Sequence, residues 1–173
     1  WIVTIGGFFT LARFSEAFLI LRAQGAGLPD VFAPAILIVM NIVYALSAYP
    51  AGKLADRMDR NHLMLAGLLV LMLADFLLAW AQSLAWIFAG VVLWGLHMGM
   101  TQGLLATMIA DAAPAKLRGS GFGVYYLISG IAMLFASVLA GIVWDIYGAA
   151  MTFYCGAGFA AISLVLLMQR RIK

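Results

Sequence analysis

The sequence predicts an all-α integral membrane protein built from six transmembrane helices. Three observations predict it. Of the 173 residues, 66% are hydrophobic and only 10% are charged, with a mean hydropathy of +1.08; a soluble domain carries about a quarter charged residues. The apolar residues run in six stretches, each close to the roughly 20 residues that cross a bilayer core of about 30 Å. Lysine and arginine collect in alternate connections between those stretches, as positive-inside topology requires.

Taken in order, the predicted spans are 1–23, 31–51, 62–81, 84–110, 122–144 and 150–169. Each connection carries a break signal. The first is Gln24-Gly25-Ala26-Gly27-Leu28-Pro29, the second a charged turn, and the third Ala81-Gln82-Ser83. The fourth is Ala113-Pro114-Ala115-Lys116-Leu117-Arg118-Gly119, and the fifth Asp145-Ile146-Tyr147-Gly148. Pro29, Pro34, Pro50 and Pro114 fall at or near predicted span ends, where a missing backbone donor costs little. A helix is the expected spanning element because it satisfies its own backbone in lipid. The second and fourth connections and the tail hold Lys53, Arg57, Arg60, Lys116, Arg118, Arg170, Arg171 and Lys173, whereas the opposite side holds only Arg22. The basic side, with the C-terminus, is therefore expected in the cytoplasm. Trp80, Trp86, Trp144 and Tyr147 are expected as an interfacial belt on the other side. The six spans divide into two sets of three with opposite orientation. Cys155 stands alone, so no intrachain disulfide forms. The chain begins at Trp1 inside a spanning segment, with no cleavable signal pattern, and reads as part of a longer protein.

The charged turn is Gly52-Lys53-Leu54-Ala55-Asp56-Arg57-Met58-Asp59-Arg60-Asn61, which holds five of the seventeen acidic and basic residues. It resembles the signature loop of the major facilitator superfamily of transporters, Gly-x-x-x-Asp-Arg/Lys-x-Gly-Arg-Arg/Lys. Gly52, Asp56, Arg57 and Arg60 match; Asp59 replaces the later glycine and Asn61 the final basic residue. A second stretch, from Asp111 through Pro114 to Arg118-Gly119, resembles the acidic-x-x-Pro-x-x-x-Arg-Gly pattern at the end of the family's fourth and tenth helices. The resemblance covers the whole chain as one six-helix half, made of two inverted three-helix repeats. The basic tail favours the C-terminal half. It implies a cytoplasmic gate formed by Gly52, Asp56, Arg57, Arg60, Asp111 and Arg118. In that gate, Gly52 would admit a neighbouring helix, Asp56 would face the start of the fifth span, and Arg57 or Arg60 would pair with Asp111. A solvated topogenic turn is the alternative, since exposed ion pairs contribute little.

Polar groups inside the spans are the candidate substrate or proton site: Arg13, Glu16, Asn41, His97, Thr101 and Gln102. A charge at a helix centre costs about 2.5–3.5 kcal/mol on insertion scales. Arg13 and Glu16, three residues apart, would share a helix face and form either a structural ion pair or the substrate or proton site. The resemblance places the first and fourth spans along a central cavity. His97 and Thr101, four apart, lie on one face of the fourth span; Gly95, Gly99 and Gly103 form a small-residue stripe for helix packing on another. Asp75 in the third span is expected to pair with a neighbouring helix or relay protons, and Tyr44 to edge the cavity with Asn41. Ala132, Ala136 and Ala140 form a second packing stripe.

The function implied is secondary active transport of a small solute by alternating access, with the proton as the expected coupling ion because ionisable groups lie within the spans. No Gly-x-x-x-x-Gly-Lys-Ser/Thr loop and no His/Cys/carboxylate cluster occurs in sequence, so neither nucleotide, metal nor other cofactor is expected. An intramembrane serine protease would need Gly-x-Ser-Gly, and Arg118-Gly119-Ser120-Gly121 lacks the first glycine; an enzyme is not expected. The basic balance belongs to topology rather than to nucleic acid. Expected partners are the small solute, the proton, the lipid of the plasma (inner) membrane, and a second six-helix half. A self-associating half-protein, paired with its own copy across a two-fold axis and without independent transport, is the other organisation open to such a chain.

Overall fold

The computed structural model describes residues 7 and 9–169, the side chains of 112 and 115 excepted. Its regular elements are all helical: α1 (Ala17–Gly25), α2 (Ala33–Ala55), α3 (Arg60–Trp80), α4 (Leu84–Ala112), α5 (Arg118–Tyr147) and α6 (Ala149–Gln169). Short 3₁₀ turns, Asp30–Phe32 and Ala115–Leu117, lead into α2 and α5. Five helices among the described residues are long and apolar enough to cross a membrane. The first predicted span differs. Residues 9–12 are helical, 13–16 break the helix, and α1 resumes at Ala17. Residues 1–6 and 8 of that span, and Arg170, Arg171 and Lys173 of the tail, lie outside the described residues.

The break is stabilised from two directions. The Ser15 amide donates to Ser137 Oγ of α5 at 3.2 Å, and Ser15 Oγ accepts from the Ala17 amide at 3.3 Å. Freed backbone groups inside a membrane protein persist only with such partners or beside a cavity. Phe14, within the break, turns inward against Phe18, Phe153 and Trp94, with ring centroids 5.3, 5.5 and 5.7 Å away. At its far end, α1 is tied to α3: Arg22 Nε donates to Leu78 O at 2.9 Å and Nη2 to Ala81 O at 2.7 Å. A cation there meets the unpaired carbonyls and negative dipole of a helix C-terminus.

α4 is the central element, packed against α2 on one side and α3 on the other, while α3 also packs on α6 and α6 on α5. Lipid is as apolar as leucine, so close contact rather than water exclusion holds such helices together. Glycines supply it. A Cβ on Gly95 would meet the Met40 carbonyl oxygen of α2 and stand 3.1 Å from Val43 Cβ, and one on Gly99 would meet Ser47 Oγ. Gly67 of α3 similarly receives the Thr101 methyl. Gly103, the third member of the expected stripe, has nothing within 4 Å of that position. The helix periodicity that aligns the three does not tell how far the partner helix follows them, and α2 leaves α4 before Gly103.

Three further expectations are corrected. Pro50 lies inside α2, which continues one turn past it to Ala55; the proline removes one internal hydrogen bond without ending the helix. Trp144 is partly buried, with its ring against Phe18 and Phe153, and is core rather than belt. Trp80, Trp86 and Tyr147 are exposed. The connection expected over Asp145–Gly148 contracts to Gly148 alone, whose φ of +85° suits glycine.

Candidate functional site

A cavity of about 350 Å³ lies between the first segment, α4 and α5. Phe9, Thr10 and Arg13 come from the first segment, Gln102, Leu105 and Ala106 from α4, and Tyr125, Tyr126, Ser129, Gly130 and Met133 from α5. The helix break delivers Arg13 to this wall. Its side chain is 14% exposed, its guanidinium carbon is 5.8 Å from the Phe9 ring centre, and its Nε has no partner. Arg13 Nη2 approaches Glu16 Oε1 at 3.8 Å, and the Glu16 side chain is 40% exposed. The two residues therefore meet across the break rather than as neighbours on a helix face.

The other intramembrane candidates divide. Gln102 joins Arg13 at the cavity. His97 and Thr101 do not: both are fully buried and face α3. His97 Nδ1 donates to Gly67 O at 2.9 Å, and Thr101 Oγ1 donates to His97 O at 2.8 Å. They form the close approach of α4 to α3, where a glycine carbonyl is within reach. Asn41 is exposed on α2 and donates to Leu37 O of its own helix. Asp75 is fully buried between α3 and α6, with neither carboxyl oxygen hydrogen-bonded and its carboxyl group against the Cβ position of Gly156. The sequence reading passed over Thr10, Tyr125, Tyr126 and Ser129. The Tyr-Tyr pair and a serine one turn on in an apolar helix were the available signal, but only the break shows which helix they face.

At the charged-loop end, Arg60 Nη1 donates to Asp111 Oδ2, joining the start of α3 to the end of α4. Arg118 Nε donates to Ala110 O at 3.2 Å, linking α5 to the same end of α4. Asp59, where the family pattern has glycine, caps α3 by accepting the Asn61 amide at 2.8 Å. Asp56 and Arg57 are exposed and stand outside this pair. Gly52 meets no neighbour within 4 Å of a Cβ position, so no helix approaches it closely here. It instead borders a cleft of about 230 Å³ between α2 and α4, with Tyr44, Asp56, Arg60 and Gly103. Both partners of the Arg60–Asp111 pair are about half exposed, so its worth to stability is small. A thermal double-mutant cycle of Arg60→Ala and Asp111→Ala is expected to give a coupling of about 0.2–1 kcal/mol, weakening as salt is added.

Comparison with known proteins decides the family. The Major Facilitator Superfamily pattern matches residues 1–172. The chain belongs to the major facilitator superfamily. An uncharacterised MFS-type transporter of Methanocaldococcus jannaschii is 31% identical over 175 residues, spanning 96% of this chain and 43% of that protein. An arabinose-proton symporter of Bacillus subtilis is 30% identical over 79 residues, 46% of this chain and 17% of the symporter. The crystal structure of PepTSo, a POT family transporter, superposes with a TM-score of 0.78 at 18% identity, over 98% of this chain and 36% of that one. That likeness is one of fold. The chain thus spans well under half the length of the relatives it matches, in a superfamily of multi-pass membrane transporters rather than enzymes.

Proposed function

We propose that the chain is one six-helix half, the C-terminal one, of a secondary transporter that moves a small solute across the plasma membrane by alternating access. The observation that carries the reading is the cavity. A broken first helix, α4 and α5 surround a space of mixed polar and apolar lining within the membrane-spanning bundle, the arrangement expected where substrate sites are built from discontinuous helices. Two features support a second half. The chain covers 43% of the archaeal relative, and α2 and α5 present largely exposed apolar faces that include Leu46, Leu127, Leu134 and Phe135. Intact mass of the native polypeptide tests this directly: a value near twice 18.6 kDa is expected, and a value near 18.6 kDa would overturn it.

The coupling ion in this reading is the proton, and Glu16 is its carrier. Glu16 is half exposed, sits in the break beside the cavity cation, and is the acid within reach of Arg13. The symporter relative is named for proton coupling, which agrees with this choice. The Arg60–Asp111 and Arg118–Ala110 contacts then act as the cytoplasmic gate, holding α3, α4 and α5 together until the protein opens inward. In proteoliposomes, Glu16→Gln is expected to abolish solute accumulation driven by a pH gradient while equilibrium exchange of the solute persists. Undiminished accumulation in that variant would remove Glu16 from the coupling mechanism.

A further inference from the structure

The chemistry of the cavity wall narrows the solute. Among the described residues, the wall holds a single charged side chain, Arg13, and no aspartate or glutamate. The remaining polar groups include the Gln102 amide, the Tyr125 and Tyr126 hydroxyls and the Ser129 hydroxyl, all able to donate a hydrogen bond. Phe9, Leu105 and Met133 supply flat or pliable apolar surface beside them. Arg13 Nε is buried without a partner, and Glu16 Oε1 approaches Nη2 at 3.8 Å. A guanidinium presents five donors in a planar fork that matches a carboxylate. A buried cation whose intrinsic counterion is distant and half exposed leaves that fork open toward the cavity.

We infer that the cavity takes a small organic anion, a carboxylate on a flat apolar body, with Arg13 as its counterion. The carboxylate occupies the guanidinium fork, the amide and hydroxyl groups complete its hydrogen bonds, and the apolar body lies against Phe9 and the tyrosines. A volume of about 350 Å³ lies within the range of small-molecule pockets. This inference rests on the cavity being the solute site of the proposed transporter.

Equilibrium binding of benzoate, benzamide and benzylamine to the purified native protein tests it, because the three share a ring and differ in charge. Benzoate is expected to bind saturably, benzamide at least tenfold more weakly, and benzylamine not at all. Arg13→Gln is expected to erase the preference for benzoate over benzamide, and Arg13→Lys to keep part of it. Benzamide or benzylamine binding as tightly as benzoate would overturn the inference, and so would no saturable binding of any probe. Neither result depends on a variant folding. An unchanged preference in a folded Arg13→Gln protein would also overturn it. Benzoate counterflow separates the two levels of argument: the stated binding preference without counterflow refutes transport and leaves the anion site standing.

Discussion

Gly95→Ala is expected to destabilise the bundle by about 1–3 kcal/mol, the cost of forcing an extra methyl into packed surroundings. The added Cβ would meet the carbonyl oxygen of Met40, with Met40 C at 3.2 Å and Val43 Cβ at 3.1 Å. Backbone cannot rotate away as a side chain can, so α2 and α4 must part. Gly103→Ala provides the contrast on the same helix face. With nothing within 4 Å, the methyl meets open space, and the gain in helix propensity is about 0.5–1 kcal/mol. Thermal unfolding of the two variants in one detergent should therefore shift in opposite directions. Equal shifts would show that the α2–α4 contact is looser than the structure has it.

The second large effect is expected at Asp75. Its side chain is fully buried, and both carboxyl oxygens lack hydrogen bonds. Burying such a group without a partner costs about 1–3 kcal/mol. Asp75→Ala removes the cost and leaves a small void beside Gly156 and Phe14, so the variant is expected to be more stable than the parent. For a protein of this size each kcal/mol corresponds to about 2–4 °C in Tm. A lower melting temperature would mean that the carboxyl finds a partner in the assembled protein. A rise in stability joined to a loss of transport would mark Asp75 as a group kept for function at a cost in stability.

The sequence made the helices legible because length and hydropathy decide what spans a bilayer. At the charged-loop end it made one contact legible, because family-like residues stand at helix ends, where neighbours are set by topology, while Gly52, Asp56 and Arg57 stand outside the contacts expected of them. Arg60 against Asp111 is that contact. The interior was harder. Arg13 and Glu16 three residues apart look like neighbours on a continuous helix, and hydropathy has no term for a break. Ser15 was the local clue, since a serine hydroxyl readily satisfies a backbone amide two residues on, but its partner Ser137 is 122 positions away. His97 and Thr101 show the converse limit. Their spacing gives one shared face correctly, yet which neighbour that face meets depends on Gly67, whose missing side chain lets α3 come close.

The Arg22 contacts and the break at 13–16 together divide the first segment into two pieces held by different neighbours. Residues 17–25 are fastened by the guanidinium to the closing turn of α3. Residues 9–12, with Phe9 and Ala12 buried and the Phe9 ring against His97 of α4, are joined to them through four non-helical positions held by Ser137 of α5 and by the packing of Phe14. Ser15 thus ties the backbone beside Arg13 to α5, whereas Arg22 ties the far end of the segment to α3. The cavity's one charged side chain among the described residues therefore sits at the joint between a piece held by α3 and a piece held by α4.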